Sequence, residues 1–322
     1  MITASIVVPT YKRPKLLINC LKALLAQSFD RSNYEIIVVS DGPDRDTEQI
    51  FQDFAGYDYP ALRYLPLPKK MGPAAARNFG WQNAKGTIIA FTDDDCLPHA
   101  HWLREIVNNC NPNLDQVVTG RVIVPISKRP TDYELNTSHL QTADFITANC
   151  ACTKKALIKA GGFDEQFSMA WREDSDLEFK FINNNIPITK VETAIVTHPV
   201  RKSAWGVSIK EQKKTQYDAL LYKKHPALFR KKISARSPIL YYAIILSFLT
   251  MLIGVVIGHN QLASIGLAFW AALTGYFIFK RLYSTKLSLN HISEMIVTSA
   301  VIPFVSIFWQ WYGAAKYHVL YI

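Results

Sequence analysis

From Pro238 to Phe279 the chain carries no Asp, Glu, Lys or Arg, a run of 42 residues. A bilayer core takes about 20 helical residues at ~1.5 Å each. The run therefore has room for two spans joined by a turn near His259-Asn260-Gln261. The competing reading is a buried helix pair in a water-soluble core, and so long a charge-free run weighs against it. A third apolar stretch, 292–315, holds Glu294 near its start, Pro303 inside, and Trp309, Trp311 and Tyr312 towards its end. Aromatics grouped at one end suit a membrane–water interface. This stretch either spans or lies along the surface as an amphipathic helix.

Charge is distributed to match. The net charge is +10, yet residues 1–200 hold 21 Lys/Arg against 23 Asp/Glu. Residues 201–236 hold 11 basic residues against Glu211 and Asp218, directly before the apolar run. Basic loops stay on the cytoplasmic side of a membrane, which places this segment and Lys280, Arg281 and Lys286 there together. A polybasic stretch beside a span suits anionic lipid head groups, so nucleic acid is not expected as a partner. No secretory leader is expected from the short apolar run after Met1. The five cysteines, odd in number and scattered, suit reduced thiols.

The chemistry-bearing signal is FTDDDCLP, residues 91–98, after the apolar strand-like run 87–91. Three adjacent carboxylates at a strand end repel one another unless a cation offsets them. Mg²⁺ or Mn²⁺ favour such oxygen ligands and complete their shells with phosphates. A solvated acidic turn is the alternative. Upstream, residues 5–9 and 34–40 read as buried strands and 14–27 as a helix with Pro at its first turn. Residues 44–54 and 72–84 read as helices, and 62–65 as a short strand. Strands alternating with helices imply an α/β fold with a mostly parallel sheet and ligands past the strand carboxyl ends. Those ends read PTYKR, SDG and TDDD. The first lacks the Gly-rich turn of a dinucleotide site. Residues 116–151 look less regular.

SIVVPTYKRP, EIIVVSDG, MGPAAARNFGW, IAFTDDDCLP, GGFDEQF and WREDSDLEF, taken in this order over residues 5–200, resemble the inverting family 2 glycosyltransferases. The resemblance implies a GT-A type nucleotide-sugar-binding domain, here over 1–204. A basic juxtamembrane segment (205–237) and a helical membrane region (238–322) follow. It implies Mg²⁺ or Mn²⁺ as cofactor, with Asp93 and Asp95 at the metal and Asp94 on the nucleotide ribose or the same ion. His198 matches a late His that contacts metal or diphosphate; a structural His is the other reading. Pro9, Thr10, Arg13 and Asp41 fall in the nucleotide cleft, although Asp41 in SDG is also ordinary turn chemistry. Gly72 and neighbouring alanines let a helix N-terminus approach a ligand, with Arg77 as a fixed cation. A packed helix with a surface Arg is the alternative.

The general base should be a carboxylate on another element. Asp174 fits the family's Glu-Asp pair, with Glu173 supporting it and Trp171 and Arg172 as acceptor contacts. Asp176 and Glu178 read as capping or solvated groups. The expected partners are a nucleoside diphosphate sugar, a lipid-linked or glycan acceptor, and the cell membrane, with the catalytic domain cytoplasmic. A polyprenyl-phosphate acceptor and a non-catalytic membrane scaffold are the alternatives.

Overall fold

The computed structural model describes residues 2–54, 60–234 and 238–320. Residues 235–237 of the basic segment and 321–322 of the membrane region lie outside them. The chain divides into two compact units, Met1–Pro125 with Ser138–Val200, and Ile126–Thr137 with Arg201–Ile322. The expected boundary at 204 lies near this division. Nothing in the sequence marks 126–137 as part of the second unit.

The first unit opens with β1 (Ala4–Thr10), α1 (Pro14–Leu25), β2 (Tyr34–Ser40), α2 (Arg45–Asp53), β3 (Ala61–Pro66), α3 (Pro73–Gln82) and β4 (Ile88–Phe91). β5 (Leu97–Pro98), α4 (Trp102–Asn109) and β6 (Val117–Ile123) come next; α5 (Asp132–Ser138) then falls almost wholly in the stretch that belongs to the second unit. β7 (Cys150–Thr153), α6 (Lys154–Ala160), α7 (Glu173–Asn183) and β8 (Ile188–Thr197) complete the first unit. The sheet order is β3-β2-β1-β4-β7-β6-β8-β5. β1 and β2 are buried at every residue, so they read as unbroken apolar runs rather than alternating ones. α1 presents Leu17, Cys20, Leu21, Leu24 and Leu25 to the core, the spacing of one helix face.

β3, β2, β1 and β4 are all parallel. The remainder is mixed, because β7 runs antiparallel to both β4 and β6. The expected parallel pairing runs through β3-β2-β1-β4 and recurs between β6 and β8. The register pairs Thr10 with Ser40 and Val7 with Phe91, so the carboxyl ends of β1, β2 and β4 are neighbours. At the far edge Leu97 pairs with Thr197, which brings the chain after the Asp triplet beside His198.

The second unit contains α8 (Val207–Glu211), α9 (Gln216–Lys224), α10 (Pro226–Lys232), α11 (Ile239–Val256), α12 (Asn260–Leu282) and α13 (Leu289–Tyr317). The last three are long and apolar enough to cross a membrane. The turn between α11 and α12 falls at 257–259, a little before the expected position.

Candidate active site

Four groups meet where the Asp triplet leaves β4. Ligand atoms of Asp93, Asp95, Cys96 and His198 lie within 4.8 Å of one another. Asp95 Oδ1 is 3.8 Å from His198 Nε2. His198 is held by its own amide, which donates to the Ile123 carbonyl (2.8 Å). Its Nδ1 is buried with no hydrogen-bond partner among the described residues. Two carboxylates and an imidazole suit Mg²⁺ or Mn²⁺. Cys96 fits poorly. Burial and the nearby Asp93 and Asp95 push its thiol well up, so it stays protonated at neutral pH.

Asp94 faces elsewhere. Its carboxylate accepts from Thr10 Oγ1 (2.7 Å) and pairs with Arg13 Nη1 (2.9 Å), tying the triplet to the end of β1. Burial pushes its pKa up while Arg13 and Thr10 pull it down. The triplet thus separates into Asp93 and Asp95 beside His198 and Asp94 on the β1 side.

 

Arg77, on α3, sits between two acids. Nη2 lies 2.8 Å from Asp93 Oδ1 and Nη1 3.2 Å from Glu173 Oε1, with Arg77 and Glu173 both buried. Burial alone would lower the guanidinium pKa. Asp93 and Glu173 outweigh it and hold the charge firmly in place. Arg77 is therefore no surface residue. Removing it would strand Glu173 without a counter-charge, a loss on the order of 3–5 kcal/mol for a buried pair.

Glu173 and Asp174 open α7 directly after Arg172, whose φ of +73° is uncommon for a residue with a side chain. The Arg172 guanidinium lies 4.7 Å from the Trp171 ring centre, so the two expected acceptor residues stack on each other. Glu173 is pushed up to about 7 by burial and by the charge of Asp174, against the pull of Arg77. Asp174 is also raised, by burial, with the Ser175 amide and Arg77 opposing. Asp174 remains half-buried, and its Oδ1 accepts from the Ser175 amide (2.7 Å). Of the pair, Asp174 has the access to solvent that a base needs.

One expectation needs correction. Asp176 and Glu178 are buried rather than solvated, and Asp176 pairs with Lys180 (2.9 Å) one turn on. Gly72 has a packing role of its own. Its φ is +102°, and a Cβ there would lie 2.6 Å from the Ser168 carbonyl oxygen. Asp41 Oδ1 accepts from the amides of Met71 (2.6 Å) and Gly72 (2.9 Å), so this carboxylate also fastens the loop before α3. Gly72→Ala should destabilise the protein by ~2 kcal/mol, because left-handed strain and the clash with Ser168 act together. Denaturant titration of the purified protein in detergent checks this.

Sequence reasoning missed two features. Lys70 Nζ sits 4.0 Å above the Tyr11 ring, a cation–aromatic pair just past β1. Asn78 binds the Phe163 carbonyl (2.9 Å), the Phe163 amide (3.0 Å), Glu165 (2.9 Å) and Trp81 Nε1 (2.9 Å). It locks MGPAAARNFGW to GGFDEQF. The long separation of the two motifs hides this, although a buried Asn one residue after Arg77 is a fair pointer.

The chain resembles known proteins. It is 34% identical over 118 residues to glycosyltransferase AglE of Haloferax volcanii, covering 37% of this chain and 38% of that protein. It is 27% identical over 172 residues to the GalNAc(5)-diNAcBac-PP-undecaprenol beta-1,3-glucosyltransferase of Campylobacter jejuni, covering 51% and 55%. The chain thus matches less than two thirds of the length of either relative. A solved mannosyltransferase, PcManGT from Pyrobaculum calidifontis in complex with GDP-Man and Mn²⁺, superposes with a TM-score of 0.60. That match is 17% identical and covers 96% of this chain and 87% of the other, a likeness of fold. The model of glycosyl transferase family 2 matches residues 5–167, half of the chain, and with the sheet and its carboxylates it makes this protein a member of that family.

Proposed function

We propose that this glycosyltransferase moves a sugar from a nucleoside diphosphate sugar to a hydroxyl of a lipid-linked acceptor, with metal dependence and inversion at the anomeric carbon. The convergence of Asp93, Asp95 and His198 beside the Arg77–Glu173–Asp174 chain carries the reading. Asp93, Asp95 and His198 would hold the divalent ion. Bound there, the ion would neutralise charge on the departing diphosphate.

The remaining chemistry belongs to the side chains. Asp174 takes the acceptor proton as the acceptor oxygen attacks C1 from the face opposite the leaving group. The C1–O bond to the diphosphate breaks, and the nucleoside diphosphate leaves with that electron pair. Glu173 and Arg77 fix the start of α7, so the base is held in place before substrate arrives. Tyr11, Arg13 and Asp41, at the ends of β1 and β2, are the proposed nucleotide contacts together with Pro9, Thr10, Gly72 and Asp94. Trp171 and Arg172 are the proposed acceptor contacts.

The lipid-linked acceptor is supported by the apolar helices of the second unit and by the undecaprenol-linked substrate in the name of the Campylobacter relative. The basic segment supports a cytoplasmic catalytic domain in a cell membrane. The test is transfer of radiolabelled sugar from UDP-, GDP- and dTDP-sugars into solvent-extractable lipid, using nanodiscs supplied with bacterial lipid extract. Label in a lipid-linked glycan is expected. Label in a polyprenyl monophosphate sugar would favour that alternative acceptor, and label only in water-soluble glycan would contradict a lipid acceptor.

A further inference from the structure

We infer that α13 does not cross the bilayer. It lies in the plane of the membrane surface, on the same side as the basic segment 207–224, with one apolar face in the lipid. Its two ends are both tied to that basic segment. Near its start, Glu294 Oε1 accepts from the Gly206 amide (2.7 Å). Near its end, Lys223 Nζ donates to the Tyr317 carbonyl (2.8 Å). Between these points, Lys213 Nζ lies 5.4 Å from the Trp309 ring centre, and a Cβ on Gly313 would collide with the Gln216 backbone. The segment running from Gly206 to Lys223 thus follows α13 from one end to the other.

A helix of 29 residues is about 43 Å long at 1.5 Å per residue. If it crossed a hydrocarbon core of about 30 Å, one end would emerge on the far side. The segment 206–223 would have to cross with it, carrying Lys210, Lys213, Lys214 and Lys223 through hydrocarbon. Such charges are costly there and are found facing water or a partner.

The contacts with α11 and α12 agree. α13 meets them through its middle, where Arg281 Nη1 donates to Thr298 (2.7 Å) and Ser299 (3.1 Å). Ile302 packs with Ile244 and Phe277, and the rings of Phe304 and Phe248 are 5.2 Å apart. Those partners lie within the first ten residues of α11 and the last third of α12. The sides of α13 also divide by chemistry. Thr298, Ser299 and Ser306 are buried in the protein, whereas Ile296, Val297, Val301, Phe308, Trp311 and Tyr312 are exposed. A water-facing helix shows the reverse, so the occupant of this face is the lipid leaflet itself. The lysines of the segment packed along it supply attraction for anionic head groups.

The test is side-specific labelling of the full chain in sealed membrane vesicles of both orientations with an impermeant maleimide. The five native cysteines are all buried. Single variants Asn290→Cys and Lys316→Cys report the two ends of α13. Lys231→Cys marks the basic side and Gln261→Cys the turn between α11 and α12. The expected result is that Asn290→Cys and Lys316→Cys react on the Lys231 side, with Gln261→Cys reacting only on the other. Reaction of Lys316→Cys on the Gln261 side overturns the inference. A reporter fused to the C-terminus of the otherwise unaltered chain gives an independent answer. It should lie on the Lys231 side, and its appearance on the opposite side would also overturn the inference.

Discussion

Asp174→Asn should lower the turnover of sugar transfer by about 10³-fold, within the ~10²–10⁴ that a positioned general base contributes. Binding of the donor nucleotide should change little, because this carboxylate accepts from the adjacent Ser175 amide (2.7 Å) at the start of α7 rather than from the strand ends of the nucleotide cleft. The amide keeps the size of the side chain and removes its capacity to accept a proton. The pH profile gives a second reading. Burial raises Asp174, and Glu173 beside it is pushed up to about 7. A base works only when deprotonated, so turnover should fall as pH drops through the raised values of this pair. The two acids titrate together, and the limb belongs to both. Glu173→Gln should move the limb to lower pH, since a neutral neighbour no longer opposes ionisation of Asp174. Turnover measured between about pH 5 and 8 on both variants checks this.

Asp95→Ala should reduce metal-dependent transfer by about 10²–10³-fold, the scale seen when a stabiliser of developing charge is removed. The apparent metal affinity should fall with it. Asp94→Asn makes the contrast. Asp94 binds Thr10 and Arg13 rather than His198, so its loss should raise the donor KM and leave the metal requirement intact. Titrating Mn²⁺ and donor separately distinguishes the two. A matching loss of metal affinity in both variants would contradict the division of the triplet.

That division shows where sequence reasoning stops. The strands β1, β2 and β4 are legible within a residue because buried parallel strands are unbroken apolar runs, and the Asp triplet announces its chemistry by cost alone. Which of three adjacent carboxylates faces the metal depends on strand register. The pairing of Leu97 with Thr197 brings Asp95 to His198, about a hundred positions away. Arg77 reads as a useful cation from its motif, yet its burial between Asp93 and Glu173 is tertiary. Asp176 and Glu178 mislead because a run of acids at a helix start looks solvated. Lys180 and the packing of α7 make at least Asp176 a buried ion-pair member. The apolar stretch 292–315 leaves spanning and in-plane placement open, since composition does not record which segment lies along it.

The most direct measurement is release of nucleoside diphosphate from a panel of UDP-, GDP- and dTDP-sugars by the full chain in nanodiscs. It is made with Mn²⁺, with Mg²⁺ and with chelator, in the presence and absence of bacterial lipid extract. The expected result is release from at least one donor that requires a divalent ion and rises with the extract. Absence of both release and nucleotide binding with every donor and either ion would contradict the account, and would leave a membrane scaffold built on a glycosyltransferase fold.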